Sequence, residues 1–182
     1  MPVSPKPDFV TRVTADEWAA LPLSERALFV ARSQLDAKVA EFPRGSNWGP
    51  AVSLYLRIAG LRNPAPWCAA FVYWCLVVAG ADRRKLWSNP ASTYSLWKWA
   101  ANSGRLSPVP GRGTAFVWNA SGGGHTGFVR AVLPGNVVAT IEGNTNAGGS
   151  REGYEVAERK RDVLQIFKSG PRYGFIDFGG VS

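Results

Sequence analysis

Histidine and cysteine are the scarcest reactive residues in this chain of 182: there is one histidine, His125, and there are two cysteines, Cys68 and Cys75. Such counts exclude a four-ligand Cys/His zinc site and a disulfide framework, so any imidazole chemistry runs through His125. Long apolar runs are also missing. The most apolar stretch, Ala69 to Ala81, falls well short of the roughly 20 residues a membrane-spanning helix needs, and no integral membrane association is expected. The opening residues, MPVSPKPDFVTRVTADEW, hold no apolar core followed by a small-residue cleavage site. No secretory signal is read there, and synthesis in the cytoplasm is expected. Acidic residues are outnumbered, 13 Asp and Glu against 21 Lys and Arg, and the net charge of +8 favours anionic partners: nucleic acid, a membrane surface or a polyanionic wall.

What is present is ample apolar material. A hydrophobic fraction of 46% against 19% charged offsets the entropy of folding, and the length suits one domain, over residues 25–182, preceded by an arm and short helix over 1–24. Thr14-Ala-Asp-Glu17 reads as a capping box that starts a helix reaching about Leu21. Leu28, Phe29, Ala31, Leu35, Val39 and Ala40 recur at helical spacing and predict an amphipathic helix from about Glu25 to Ala40. Pro50 is placed to open the next helix, which runs to Gly60. From Trp67 to Ala79 the sequence WCAAFVYWCLVVA is apolar all round, as a buried central helix would be, with Gly80 as its stop. One more helix is predicted from Asn89 to Ala101. After Pro108-Val-Pro-Gly111 the character changes to short β-like runs: Thr114 to Trp118, Thr126 to Leu133, Val137 to Ile141, Tyr154 to Arg159 and Tyr173 to Phe178. Helices first and an antiparallel sheet second make the fold class α+β. The charged stretch from Arg151 to Asp162 reads as a solvated hairpin.

Cys68 stands at the predicted first turn of the buried helix. A sulfur there meets free backbone amides and the positive end of the helix dipole, which favour negative charge on it, although a small buried core residue is the plainer alternative. Cys75, about 10.5 Å further along the same helix, is too distant for a disulfide and reads as core filler. His125 follows Ser121-Gly-Gly-Gly124 and opens a strand, so a flexible glycine loop is expected to deliver the imidazole to a sheet end. Glu142-Gly-Asn144 ends the next strand. A hairpin turning at Leu133 to Asn136 would set Thr126 level with Ile141 and place His125 beside Glu142. An acceptor on one ring nitrogen leaves the other free to take a thiol proton. Glu142 as a strand-end surface charge and Asn144 as a turn former are the bland alternatives.

These pieces together resemble a known family, the CHAP domain, the cysteine, histidine-dependent amidohydrolase/peptidase module related to papain-like cell-wall hydrolases. The resemblance rests on Asn47-Trp-Gly-Pro50, Pro66-Trp-Cys-Ala-Ala-Phe-Val72 with Trp74-Cys75, Gly124-His-Thr-Gly-Phe-Val129, Ile141-Glu-Gly-Asn-Thr145 and Gly174-Phe-Ile176. It implies a papain-like α+β fold and hydrolysis of an amide bond in peptidoglycan, as an endopeptidase or an N-acetylmuramoyl-L-alanine amidase. It assigns Cys68 as nucleophile, His125 as base, and Glu142 and Asn144 as the pair that orients it. Where the family commonly has Gly-Asp ahead of its first strand this chain has Gly111-Arg-Gly113, and it lacks an acidic cluster like the calcium loops of some members. Neither metal nor other cofactor is therefore expected.

Trp48 and Trp67 flank the expected site with faces suited to sugar or peptide, and Asn47 joins them as a substrate-binding candidate; core packing is the ordinary role of such rings. No helix-turn-helix, RNA-recognition or zinc-finger pattern accompanies the basic charge, so nucleic acid is not the expected partner. A non-catalytic basic wall-binding protein and a nucleic-acid-binding protein are the competing classes. With peptidoglycan as substrate, the expected setting is the periplasm or cell wall, reached by holin-type release of a phage-type lysin or by injection of an antibacterial effector. In the second case an immunity protein is the partner.

Overall fold

A computed structural model describes residues 4–146 and 153–181. The first helix, α1 (Ala15–Ala20), is capped as its sequence requires: the Thr14 hydroxyl accepts from the Glu17 amide and the Glu17 carboxylate accepts from the Thr14 amide. The second helix, α2 (Leu23–Asp36), stops short of the expected Ala40. Lys38 takes a left-handed conformation, with the amides of Lys38 and Val39 bonded back to the carbonyls of Leu35 and Gln34, and Ala40 leaves as an extended residue bridged to Glu155. Pro50 opens α3 (Pro50–Ile58) as expected. The central helix, α4 (Cys68–Val78), is buried at every position from Cys68 to Leu76. A fifth, α5 (Thr93–Asn102), starts later than predicted because Ser92, not Asn89, caps it, its hydroxyl accepting from the Ser95 amide.

The second half is a six-stranded antiparallel sheet: β1 (Leu106–Ser107), β2 (Ala115–Ala120), β3 (Gly123–Leu133), β4 (Val137–Thr145), β5 (Glu155–Asp162) and β6 (Arg172–Ile176), in the spatial order β1-β6-β2-β3-β4-β5. The fold is thus the expected papain-like α+β arrangement, with Cys68 at a buried helix start and the helices packed on a C-terminal antiparallel sheet. Helix α4 lies between α2 and α3 on one side and β3 and β4 on the other. Its aromatic and aliphatic side chains form the main core together with Val10, Val13 and Trp18 from the first two dozen residues. The opposite face of the sheet is covered by α6 (Val163–Lys168), which was not anticipated from the sequence. Asp162 caps it, and Val163 and Ile166 pack with Phe116, Val129, Val138 and Phe175.

Two expectations about the strands change. The glycines before His125 are not a loop: Gly123 and Gly124 pair with Ala120 and Asn119, so β3 is continuous through His125, which lies opposite Trp118. The charged stretch predicted as a solvated hairpin begins at Arg151, outside the described residues. From Glu155 it forms β5, whose Val156 and Ala157 are buried.

Candidate active site

The first turn of α4 brings Cys68 against the end of the β3–β4 pair. Two glycines permit the approach. A Cβ on Gly143 would fall 2.6 Å from Cζ3 of Trp67 and 2.8 Å from Cβ of Phe71, two fully buried side chains with no room to yield. A bare backbone at 143 therefore lets β4 seat directly on the start of α4. Gly127 does the equivalent within the sheet. Phe128 pairs with Ile141, two residues from the expected register, and a Cβ on Gly127 would lie 2.6 Å from Cγ of Glu142. Because that Cβ is missing, the Glu142 side chain lies across β3 and reaches His125 diagonally.

Nε2 of His125 is 2.9 Å from Oε2 of Glu142. An ionised carboxylate only accepts, so Nε2 carries the proton of this bond and Nδ1 is left free for Cys68, which lines the same cavity as the imidazole. Glu142 is fully buried. Arg161 grips it with two donors, Nε to Oε1 and Nη2 to Oε2, each at 2.5 Å, and the Thr140 hydroxyl donates to Oε1 at 2.5 Å. The guanidinium of Arg161 also lies 5.3 Å from the Phe116 ring centroid, and the His125 ring lies 5.8 Å from the same ring.

Burial alone would raise the Glu142 carboxyl, but the hydrogen bonds and charges of Arg161 and His125 outweigh it and hold the group at about 2. Burial likewise pulls His125 down. The Cys68 sulfur and the Glu142 carboxylate more than compensate, and the imidazolium persists to about pH 9. Cys75 differs from Cys68: it is fully buried, and desolvation pushes its thiol well above the ordinary range, which makes it inert.

Cys68 and His125 face a cavity of about 600 Å³ whose wall also includes Asn144, the start of α5, and Arg161 and Arg172. Asn144 is brought to this cavity but not to the ring expected of it. The histidine nitrogen is taken by Glu142, while Oδ1 of Asn144, in a left-handed residue, is buried without a hydrogen-bond partner among the described residues. The substrate-binding candidates are not assembled here. Trp67 is 0% exposed, its indole donates to Oε1 of Glu41 at 2.9 Å, and Tyr55 and Phe71 pack on its ring. It has no free face for a substrate, and that expectation is corrected. Trp48 is half-buried and lines a separate groove with Arg57, Leu61 and Arg62. Asn47, also half-buried, is a left-handed residue of the same loop. Neither residue lines the cavity of Cys68.

Arg161, Thr140 and Arg172 escaped the sequence reading. The signal for the first was the alternation in β5, which puts Arg159 and Arg161 on one face. Nothing local says that this face turns toward Glu142.

A helix-start cysteine facing a cavity beside a histidine that a buried carboxylate holds is an arrangement suited to cysteine-nucleophile amide hydrolysis. The chain was compared with known families, and residues 60–144 match one of them. The matching family is the CHAP domain. CHAP domains are associated with cysteine- and histidine-dependent amidohydrolases and peptidases that act on peptidoglycan. All four residues that the resemblance assigned to catalysis fall within the CHAP match. Comparison with curated proteins and with solved structures found no match. Among the described residues, no group of three or more His, Cys, Asp and Glu side chains is placed to hold a metal ion. No helix among them is long and apolar enough to cross a membrane.

Proposed function

We propose that the protein hydrolyses an amide bond of peptidoglycan, as an endopeptidase or an N-acetylmuramoyl-L-alanine amidase, by nucleophilic catalysis at Cys68. The observation that supports this reading is the coupled set itself: Cys68 and His125 share one cavity wall, and the buried, Arg161-clamped carboxylate of Glu142 holds the far nitrogen of the ring. With the proton on His125, the Cys68 sulfur attacks the scissile carbonyl. The amide of Cys68, in the first turn of α4, points at the developing oxyanion. The imidazolium gives its proton to the leaving amine as the C–N bond breaks, which leaves a thioester. His125 then takes a proton from water, whose oxygen attacks the acyl carbon and releases the acid and the Cys68 thiol. Glu142 keeps the ring oriented and its positive charge balanced throughout. Asn144 lines the cavity where the substrate would lie, and its unpartnered Oδ1 is suited to a substrate N–H.

A wall substrate places the action in the periplasm or cell wall. In our reading the protein reaches it either as a phage-type lysin, by holin-type release, or as an injected antibacterial effector that an immunity protein restrains. The net charge of +8 favours approach to an anionic wall. The test is to incubate the protein and its Cys68→Ala form with sacculi and identify released fragments by mass spectrometry. Release by the wild type alone is expected, and the new termini distinguish amidase from endopeptidase. Equal release by both forms would refute the Cys68 mechanism. Lysis on periplasmic but not cytoplasmic expression is the matching result in cells.

A further inference from the structure

Two arginines line the cavity of Cys68, and among the described residues only one of them has an anionic partner. Arg161 is committed to Glu142. Arg172 opens β6, opposite Asn119 of β2, and its guanidinium carbon lies 5.3 Å from the Tyr94 ring centroid and 5.9 Å from that of Trp97. The two rings are themselves stacked, with centroids 6.2 Å apart. They hold the guanidinium through the π-face, which leaves its N–H donors unused. Among the described residues Arg172 has neither a hydrogen bond nor an ion pair, and no Asp or Glu lines the cavity. The platform beneath it is fixed: Oδ1 of Asn119 accepts from the Thr93 hydroxyl at 2.6 Å, and Nδ2 donates to the Thr93 carbonyl at 3.1 Å, pinning the start of α5 to β2 beside Arg172.

We infer that Arg172 receives a carboxylate of the substrate, so that the cavity selects peptides with a free carboxylate close to the amide that is cut. This inference rests on the hydrolase reading above and adds a determinant of specificity to it. A planar guanidinium held beside two rings, within 6 Å of each centroid, presents its fork at little further entropic cost, and a carboxylate can accept two parallel N–H bonds from it. Converting that carboxylate to a carboxamide removes both the charge and one acceptor.

The test compares sacculi with sacculi whose peptide carboxylates have been amidated by carbodiimide and ammonium. Wild-type protein is expected to release fragments from the free-carboxylate form roughly ten- to a hundredfold faster. Arg172→Gln is expected to be slow on both and to lose the preference, and Arg172→Lys to keep part of it as a point charge. A binding arm needs no turnover: the Cys68→Ala form is titrated calorimetrically with the disaccharide tetrapeptide that a muramidase frees from sacculi, and with its amidated form. Tighter binding of the free acid, lost on adding Arg172→Gln, is the expected result. Equal affinities, binding of neither form, or a preference that survives Arg172→Gln would overturn the assignment. A carboxylate preference in binding without any cleavage would instead overturn the hydrolase reading and leave the role of Arg172 standing. Should Arg172→Gln fail to fold by circular dichroism, Arg172→Lys decides, and an undiminished preference in it would count against the fork.

Discussion

Glu142 is buried, yet it accepts from Thr140, His125 and both arms of Arg161. The ionised carboxylate in turn keeps His125 charged. The folded His125 lies at about 9 against an ordinary 6.5, so its pairing contributes stability that is full below pH 6.5 and lost as pH rises through about 9. The acid that protonates the leaving amine is lost over the same range, and hydrolysis is expected to decline above about pH 9. Replacing Glu142 with Gln removes one of the two causes that raise the imidazolium and leaves the burial that lowers it. The basic limb of the rate profile should then move to lower pH, with a rate at pH 7 reduced roughly a hundredfold, the lower end of what acid–base catalysis contributes. A pH–rate profile on sacculi checks both, and a limb that stays near 9 would show that Glu142 does not set the charge on His125. At this scale the side chains of the candidate site were legible because each stands in a distinctive setting in the sequence: a cysteine at an expected helix start, the sole histidine after a run of glycines, an acid near the end of the next expected strand. Arg161 was not legible, since a strand's two faces exchange roles with a shift of one residue and only tertiary pairing decides which is buried.

The elements meet at glycines, and the meeting sets the geometry of the site. Gly127 and Gly143 sit inside the motifs that carry the resemblance, and the structure explains both by contact. The first makes room for Glu142 to cross β3, and the second lets β4 press on Trp67 and Phe71 at the head of α4. Alanine at either position overpacks a region with no slack, and each change should cost about 1–3 kcal/mol in urea denaturation. The functional consequences should differ. Gly127→Ala displaces Glu142 and should reproduce the lowered basic limb of Glu142→Gln, whereas Gly143→Ala separates Cys68 from His125 and should depress the rate across all pH values. Identical profiles for the two variants would mean that the glycines serve stability alone. Helix and strand positions were largely readable from periodicity, and the misses have physical causes. The end of α2 is set by a left-handed Lys38 and by pairing of Ala40 with Glu155, and α6 is too short for a periodic signal. The β3–β4 register differs from the expected one because pairing starts with Leu133 opposite Val137, which by count sets Ile141 level with Val129; the bulge between Val129 and Ala131 moves it one residue, to Phe128, and no nearer to Thr126.

Over the whole molecule the buried α4 needs cover on every side, and the first two dozen residues supply some of it. Val10 and Trp18 are each 1% exposed and Val13 is 8% exposed in the main core. The Trp18 indole donates to the Ser4 carbonyl at 2.9 Å, and Phe9 stacks on Trp74 of α4 with centroids 6.0 Å apart. None of these residues lines the cavity of Cys68. This segment therefore bears on stability rather than on chemistry, and we propose that it folds as one cooperative unit with the rest. Fully burying a side chain of this kind is worth about 1.5–3 kcal/mol, part of which is offset by the entropy of ordering the segment. Deleting residues 1–21 should therefore lower unfolding free energy by roughly 2–5 kcal/mol, a large share of the 5–15 kcal/mol typical of a domain. The midpoint in urea should fall with a single transition retained, while hydrolysis at low temperature, where the shortened chain remains folded, should match the intact protein. An unchanged midpoint would make the segment a separate appendage. A lost low-temperature rate in a folded truncation would mean that it reaches the site after all.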